Sequence, residues 1–167
     1  IARGATPLAV ISGYGTSADA YHLTAGPKDG AGAAAAIQAA LGMANLSTDA
    51  IDHINAHATS TPVGDRAEIA SLRNVFGERL PAIPISATKA ATGHLLGAAG
   101  GIESIFSVLA ANTQQLPPTI NLEHCDDDMQ DLTFVTTDQK HVTKHVLCNG
   151  FGFGGVNAAL IVSSIER

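Results

Sequence analysis

The stretch I-D-H-I-N-A-H-A-T-S-T-P-V-G-D-R-A-E-I-A-S-L-R-N-V-F-G, residues 51–77, contains a strand, a loop and a helix in succession. Residues 51–56 are predicted to form a strand, and the spacing of apolar residues at 65–76 predicts a helix. Its apolar stripe consists of Ile69, Leu72 and Phe76. Gly77 follows at once, where a glycine commonly ends a helix. The loop containing His57 therefore follows the carboxyl end of a strand, where α/β sheets bind ligands.

Similar signals on both sides of this stretch predict one α/β domain over residues 1–167. The other predicted helices are 30–43, with Ile37 and Leu41 on one face, and 97–112, with the stripe Ile102, Ile105, Phe106 and Leu109. The other predicted strands are 7–15, 83–87, 132–135, 145–149 and 156–162. The order β-α-β-α-β-α followed by three strands predicts a layered sheet that helices cover on at least one face.

The composition limits the classes of partner and compartment. Charged residues make up only 14% of the chain, so part of its surface is expected to lie under another polypeptide. The net charge is −6 and the basic residues are scattered, which argues against nucleic acid as a partner. No apolar run approaches the roughly 18–20 residues that span a bilayer. The two cysteines, Cys125 and Cys148, suggest no disulfide framework, so a reducing, cytoplasmic location is expected. The opening residues 1–7 suggest a cut between two structural units.

Two histidines occupy equivalent places after neighbouring predicted strands. His57 follows the strand at 51–56, and His94 follows the strand at 83–87. Neutral imidazoles at adjacent strand ends can converge on one oxygen and donate N–H groups to its developing negative charge. One such histidine alone is more often structural, whereas the matched pair favours a site.

Lys89 and Glu103 form a second candidate pair. Glu103 lies among apolar residues of the helix at 97–112, so it needs a partner if it is buried. Lys89 could supply that partner and fix the position of His94. The alternative is two unrelated exposed side chains, and the apolar neighbours of Glu103 argue against it.

The segment C-N-G-F-G-F-G-G-V-N (148–157) is rich in glycine. A strand follows it, whereas a dinucleotide cradle requires a helix, so we predict a turn that a ligand can approach closely. Phe151 and Phe153 would be apolar walls or a gate, although a plain hairpin turn is the alternative. Cys148 has no helix after it and is predicted to be a buried structural thiol. The histidines lack metal-binding spacings, so no metal is predicted and a metal hydrolase is a weak alternative.

The segments N-A-H-A-T-S-T-P-V-G-D (55–65) and T-K-A-A-T-G-H (88–94) resemble the C-terminal half of elongating β-ketoacyl-[acyl carrier protein] synthases. These condensing enzymes of fatty-acid synthesis belong to the thiolase-like superfamily. The resemblance also covers S-A-D-A-Y-H-L-T (17–24), P-P-T-I-N-L (117–122) and G-F-G-G-V-N (152–157). It implies the second of two β-α-β-α-β-α-β-β units, the first of which, absent here, carries the cysteine nucleophile.

The resemblance also implies roles for individual residues in a decarboxylative Claisen condensation. His57 and His94 would hold the malonyl thioester oxygen, and Lys89 with Glu103 would order the site. The Phe153 N–H would form one arm of an oxyanion hole, while its ring gates the acyl pocket. The implied contacts to the phosphopantetheine arm and acyl chain are Thr24, Thr59, Thr61, Phe151, Gly152 and Gly154.

The implied partners are acyl carrier protein, the missing N-terminal half and, in the full-length protein, a second copy. No cofactor is implied beyond the phosphopantetheine that carries the substrates. The isolated chain is expected to be inactive and to self-associate, because the two halves of such enzymes share an apolar interface. A non-catalytic chain-length-factor-like partner and a polyketide ketosynthase fragment are the alternatives.

Three positions depart from the family pattern. Ala58, Gly150 and Val156 stand where glycine, serine and threonine are common. These small changes could alter loop mobility without removing a catalytic group. The presence of both histidines argues against the chain-length-factor type. A thiolase proper is less expected, although C-N-G at 148–150 superficially fits its C-x-G motif.

Overall fold

Five strands form one mixed sheet in the computed structural model, which describes residues 2–165. The strands of the chain are Ala9–Ala18 (β1), His53–Asn55 (β2), Ile85–Ser86 (β3), Gln115–Leu116 (β4), Gln139–Lys140 (β5), His145–Gly152 (β6) and Val156–Ser164 (β7). The α-helices are Ala31–Ala44 (α1), Pro62–Phe76 (α2), Lys89–Thr92 (α3) and Ala99–Thr113 (α4). Strands β4 and β5 form a separate two-stranded ribbon. In the described part of the chain, no helix has the length and apolar character needed to cross a bilayer.

The large sheet has the order β1-β7-β6-β2-β3. Strand β2 is parallel to both β3 and β6, whereas β7 is antiparallel to both β1 and β6. Because β2 and β3 are parallel neighbours, their carboxyl ends meet at one edge of the sheet. This edge is where the two predicted histidine loops begin.

Helices cover both faces of the sheet, as the alternation of side chains along β6 and β7 demonstrates. Leu147 and Ile161 pack with residues of α1 and α2 in the larger core. Their chain neighbours Val146 and Val162 pack with residues of α4 in a smaller core. Successive side chains of a strand point to opposite faces, so α4 lies across the sheet from α1 and α2. The predicted α/β architecture is confirmed.

Helix α1 packs unusually close to β1, which explains its alanine-rich sequence. A Cβ atom added to Gly15 would lie 2.0 Å from the carbonyl oxygen of Ala36, and one added to Gly13 would lie 2.2 Å from that of Ala40. Only glycine on the strand and alanine on the helix allow this approach. Small residues thus set the distance between sheet and helix.

The predicted strand at 132–135 is wrong. This segment makes only an isolated bridge between Phe134 and Ile85, through backbone hydrogen bonds of 2.9 Å from Ile85 N to Thr133 O and from Val135 N to Ile85 O. The adjacent β3 is two residues long, so it offers too short a ladder for a strand. The carbonyl of Val135 instead accepts from Thr119 N.

The apolar stripe predicted for α4 does not face the sheet. Ile105 and Leu109 are 58% and 43% exposed. The buried face of this helix consists of Ala99, Glu103, Ser107, Ala110 and Ala111. Small side chains let α4 lie close to the sheet, and the larger apolar residues form a ridge on the side turned away from it.

Candidate active site

The structure brings the two predicted imidazoles together at the carboxyl edge of the sheet. His57 comes two residues after the end of β2, and His94 follows the single turn of α3. Their ring centroids are 5.6 Å apart, and the ring planes are nearly perpendicular at 87°. The rings are therefore neighbours, as the equivalent placement of the two loops predicts.

The hydrogen bonds of each ring determine which nitrogen carries the proton. The backbone N–H of Leu96 donates to His94 Nδ1 at 3.2 Å. Lys89 Nζ lies 3.2 Å from His57 Nδ1, and an ammonium group can only donate. Both Nδ1 atoms are therefore acceptors. In the neutral rings the proton resides on Nε2, so each histidine presents one Nε2–H donor.

The environment of His57 keeps its ring uncharged. Burial, then the positive charge of Lys89 and the proximity of His94, lower the pKa of His57 to about 3. At neutral pH the ring is consequently a neutral donor. It can stabilise a developing oxyanion through an N–H group.

Lys89 and Glu103 form a buried ion pair behind the rings, as the sequence predicts. Only 7% of Lys89 and 1% of Glu103 is exposed, and Lys89 Nζ donates to Glu103 Oε1. Burial raises the pKa of Glu103, while the adjacent ammonium opposes that rise. Lys89 also donates to the carbonyl oxygen of His57. The lysine thus contacts His57, and not His94 as the sequence suggested, because α3 turns its first residue toward the end of β2.

Glu68 is a site residue that sequence reasoning missed. It lies on α2, is 4% exposed, and accepts hydrogen bonds from the backbone N–H groups of His57 at 2.9 Å and Ala58 at 2.8 Å. Asn149 Nδ2 donates to it as well, at 3.0 Å. The argument that singled out Glu103 applies equally here, since Glu68 directly precedes Ile69 on the buried face of α2.

The glycine-rich turn lies beside His57. The ring of Phe151 is 5.5 Å from the imidazole of His57, whereas Phe153, in the turn between β6 and β7, is 80% exposed. Gly154 N donates to Leu23 O at 2.7 Å, which links this turn to the loop that carries Thr24. The roles predicted for Thr24, Gly152, Phe153 and Gly154 stay predictions.

Thr59 and Thr61 lie on the loop between β2 and α2. Their hydroxyl oxygens are 3.1 Å apart, and both residues line a cleft of about 620 Å³. His94 and Lys89 line the same cleft. The threonines therefore share this cleft with Lys89 and His94, and their predicted contact with phosphopantetheine stays a prediction.

Cys148 is buried within β6, as predicted. Burial raises the pKa of this thiol to about 11, so it is protonated at neutral pH and is a poor nucleophile. Across residues 2–165, we find no group of three or more histidine, cysteine or carboxylate side chains that could hold a metal ion.

Comparison with known proteins gives a family match over most of the chain and relatives that match nearly all of it. The model of the family described as "Beta-ketoacyl synthase, C-terminal domain" matches residues 8–123. A mitochondrial 3-oxoacyl-[acyl-carrier-protein] synthase from Arabidopsis thaliana is 46% identical to this chain. The match covers 98% of this chain and 36% of that protein. The chain therefore spans about a third of that relative's length.

Two solved structures share the fold closely. One is a ketosynthase in complex with a type II polyketide synthase acyl-carrier protein and bound to the hexaketide, with a TM-score of 0.94 and 34% identity. The other, the ishigamide ketosynthase/chain length factor, has a TM-score of 0.91 and 36% identity. Each match covers 99% of this chain and 40% of the other.

Proposed function

This chain belongs to the beta-ketoacyl synthase family, in which it matches the C-terminal domain, and from that premise we propose that it is the histidine-bearing part of a 3-oxoacyl-[acyl-carrier-protein] synthase. Residues 1–167 form one domain in this proposal. The pair His57 and His94, with rings 5.6 Å apart and both Nδ1 atoms engaged as acceptors, is the observation that carries it.

The proposed reaction is decarboxylative condensation of a malonyl thioester with an acyl thioester. Loss of carbon dioxide breaks a carbon–carbon bond of the malonyl group and leaves its electron pair in a thioester enolate. The Nε2–H groups of His57 and His94 donate to the enolate oxygen. The new carbanion then attacks an acyl thioester on a cysteine of the other half, forming a carbon–carbon bond and releasing the cysteine thiolate.

The remaining site residues act on this pair. Lys89 holds His57 through its Nδ1 and carbonyl oxygen, and Glu103 neutralises the buried ammonium. Phe151 forms an apolar wall against the His57 ring. In the proposal, the threonines of the loop after β2 bind the phosphopantetheine arm, the Phe153 N–H contributes to the oxyanion hole and its exposed ring gates the acyl pocket.

Acyl carrier protein, a cysteine-bearing half and, in the complete synthase, a second copy are the partners in this proposal. The exposed apolar ridge of α4 supports such a covering partner. The isolated chain is expected not to elongate acyl groups, because its buried thiol at position 148 stays protonated. Supplying the cysteine-bearing half should restore turnover.

The test measures malonyl-carrier decarboxylation by the complete synthase. His57→Ala and His94→Ala should each lower its rate by about 10²–10³, the usual effect of losing one oxyanion donor. His141→Ala, which removes a histidine directly after β5 and outside the proposed site, should leave the rate unchanged. Full activity of either site variant would refute the proposal.

A polyketide ketosynthase is the second candidate, because the first of the solved structures above is described as a ketosynthase with a type II polyketide synthase acyl-carrier protein. Both candidates use the same histidine pair. They differ in the carrier protein and in the reduction state of the growing chain. Products formed with fatty-acid carrier protein and its reductases, compared with those formed with a polyketide carrier protein, would discriminate them.

A further inference from the structure

The side chain of Met43 covers a backbone donor at the free edge of the large sheet. Strand β1 is the outermost strand of that sheet, and within residues 2–165 it pairs with β7 alone. The backbone N–H of Tyr14 donates to Met43 Sδ at 3.2 Å. An unpaired N–H at a sheet edge is otherwise open to water or to a strand of another molecule. A thioether sulfur therefore stands where a partner strand would supply a carbonyl oxygen.

The close packing of α1 on β1 explains why Met43 reaches this edge. Ala40 lies against Gly13, where an added Cβ atom would be 2.2 Å from the Ala40 carbonyl oxygen. Met43 comes three residues after Ala40, so the two side chains are neighbours on one side of the helix. Its unbranched side chain has three rotatable bonds and adapts to the strand edge, where it meets Tyr14, the residue after Gly13.

The two methionines of the chain differ strongly in their access to solvent. Met43 is 67% exposed, whereas Met129 is 8% exposed and packs in the larger core. The ratio of the two exposed fractions is about eight. A dissolved oxidant therefore reaches the sulfur of Met43 far more often than the sulfur of Met129.

A hydroperoxide converts such a thioether to a sulfoxide. The sulfur lone pair that faces solvent attacks one peroxide oxygen, the O–O bond breaks, and the other oxygen leaves with a proton as water or an alcohol. The sulfur loses two electrons and the peroxide gains them. A thioether is a weak hydrogen-bond acceptor, whereas the sulfoxide oxygen carries a large negative partial charge. Rotation about the flexible side-chain bonds brings this oxygen to the Tyr14 N–H while the sulfur moves back.

We propose that Met43 is a modification site, at which a hydroperoxide forms methionine sulfoxide in preference to Met129 and the new oxygen takes over the hydrogen bond from the Tyr14 N–H. Oxidation of a core methionine places a polar group among apolar side chains and disrupts packing. At Met43 the same reaction strengthens a contact that already exists, and it covers the edge of β1 more firmly.

The first measurement identifies the oxidised residue in the full-length protein that contains this chain. The protein is treated with a limiting amount of hydrogen peroxide and digested, and the peptides are quantified by mass spectrometry. The peptide with Met43 should gain one oxygen at least about eightfold faster than the peptide with Met129, in line with their exposure. Equal rates, or faster oxidation of Met129, would overturn the proposal.

The second measurement follows hydrogen exchange at the Tyr14 amide before and after oxidation. A stronger acceptor should slow this exchange by about two- to tenfold, the range that corresponds to one net hydrogen bond. Thr16, two residues along β1, directs its N–H to the same free edge, because alternate residues of a strand face the same side. Its exchange should not change. Unchanged or faster exchange at Tyr14, or equal slowing at Thr16, would overturn the proposal.

Two variants show whether the effect arises at position 43. Met43→Leu has no acceptor, so peroxide should leave the exchange of its Tyr14 amide unchanged. Met43→Gln carries an amide oxygen close to where the sulfoxide oxygen would be, and it should show the slow exchange without peroxide. Treatment of the oxidised parent with a methionine sulfoxide reductase should restore the original rate. A peroxide effect that persists in Met43→Leu would overturn the proposal, as would Tyr14 exchange in Met43→Gln as fast as in Met43→Leu.

Discussion

Replacing Lys89 by methionine tests how much the buried ion pair contributes to stability. Methionine keeps most of the apolar stem and removes the ammonium group. Glu103, 1% exposed, would then be a buried carboxylate without its cation. Removing one partner of a buried pair costs about 3–5 kcal/mol, a large part of the roughly 5–15 kcal/mol that stabilises a typical protein.

The defect should depend on pH, with a sign that follows from Glu103. Burial already raises the pKa of this carboxyl group, and loss of Lys89 removes the main opposing effect. Between the unfolded pKa of about 4.3 and the raised folded pKa, the folded state binds more protons than the unfolded state. The free energy of unfolding therefore falls as the pH rises through that interval. The Lys89→Met defect should be smaller at about pH 5 than at about pH 8.

Urea denaturation at the two pH values measures this effect directly. Arg66→Met is the matched control, because it breaks an exposed ion pair with Asp126 and should cost less than about 1 kcal/mol. The double variant Lys89→Met/Glu103→Leu should recover most of the stability, since an apolar pair often replaces a buried ion pair without loss. A Lys89→Met defect that equals the control's, or that is the same at both pH values, would refute the reasoning.

Three other predictions concern acid sensitivity, packing and association. Burial, with a contribution from a neighbouring histidine, lowers the pKa of His53 to about 3. Below about pH 6.5 the unfolded state therefore binds a proton that the folded state does not. The free energy of unfolding should fall by about 1.4 kcal/mol for each unit by which the pH is lowered. His53→Phe should flatten that slope in denaturation curves between about pH 4 and pH 7, and an unaltered slope would contradict it. Gly15→Ala should destabilise the protein by about 1–3 kcal/mol, because the added Cβ would overlap with α1. Gly42→Ala has open space at its Cβ and should stabilise the protein by about 0.5–1 kcal/mol. Thermal denaturation that ranks the two variants in the opposite order would count against the packing argument. The isolated chain should self-associate through the exposed apolar ridge of α4. The double variant Ile105→Lys/Leu109→Lys places charges on this ridge and should lower the mass of the assembly measured by light scattering. A monomeric parent chain would argue against the ridge as the contact.

Elements whose limits depend on nearby residues could be predicted from the sequence. The predicted helix at 30–43 corresponds to α1, Ala31–Ala44, and the helix at 65–76 ends as predicted at Gly77, whose φ of 53° suits glycine. The apolar residues that the spacing places on one face of each helix are buried: Ile37, Leu41, Ile69, Leu72 and Phe76. Local capping and periodicity determine these features, so no knowledge of the rest of the chain was needed.

Features that depend on distant residues could not be predicted in the same way. The segment at 132–135 has the composition of a strand, but the shortness of β3 prevents it from pairing. The buried face of α4 depends on how close the helix lies to the sheet, which periodicity does not reveal. Periodicity therefore predicts that the large apolar residues of α4 face the sheet, whereas its alanine and serine residues pack there.

The same distinction applies to the site. The parallel placement of His57 and His94 after two strands predicted their proximity. The tautomer of His94 follows from the Leu96 N–H, and the N–H of His57 donates to Glu68, which is 11 positions away in the chain. Hydrogen bonds between side chains and backbone groups leave no periodic signal, so the partners of these groups become visible only in the folded structure.

Because β1 pairs with β7, this sheet can be completed only after nearly all of the described residues have been synthesised. The register joins Ala9 to Ser164, so the strand translated first waits for the strand translated last. Until then β1 has both edges unsatisfied, and its segment P-L-A-V-I-S-G-Y-G carries no charge to discourage intermolecular pairing. Closing so long a loop is also slow. We expect the nascent polypeptide to be most exposed to intermolecular strand pairing between the emergence of residue 18 and that of residue 164.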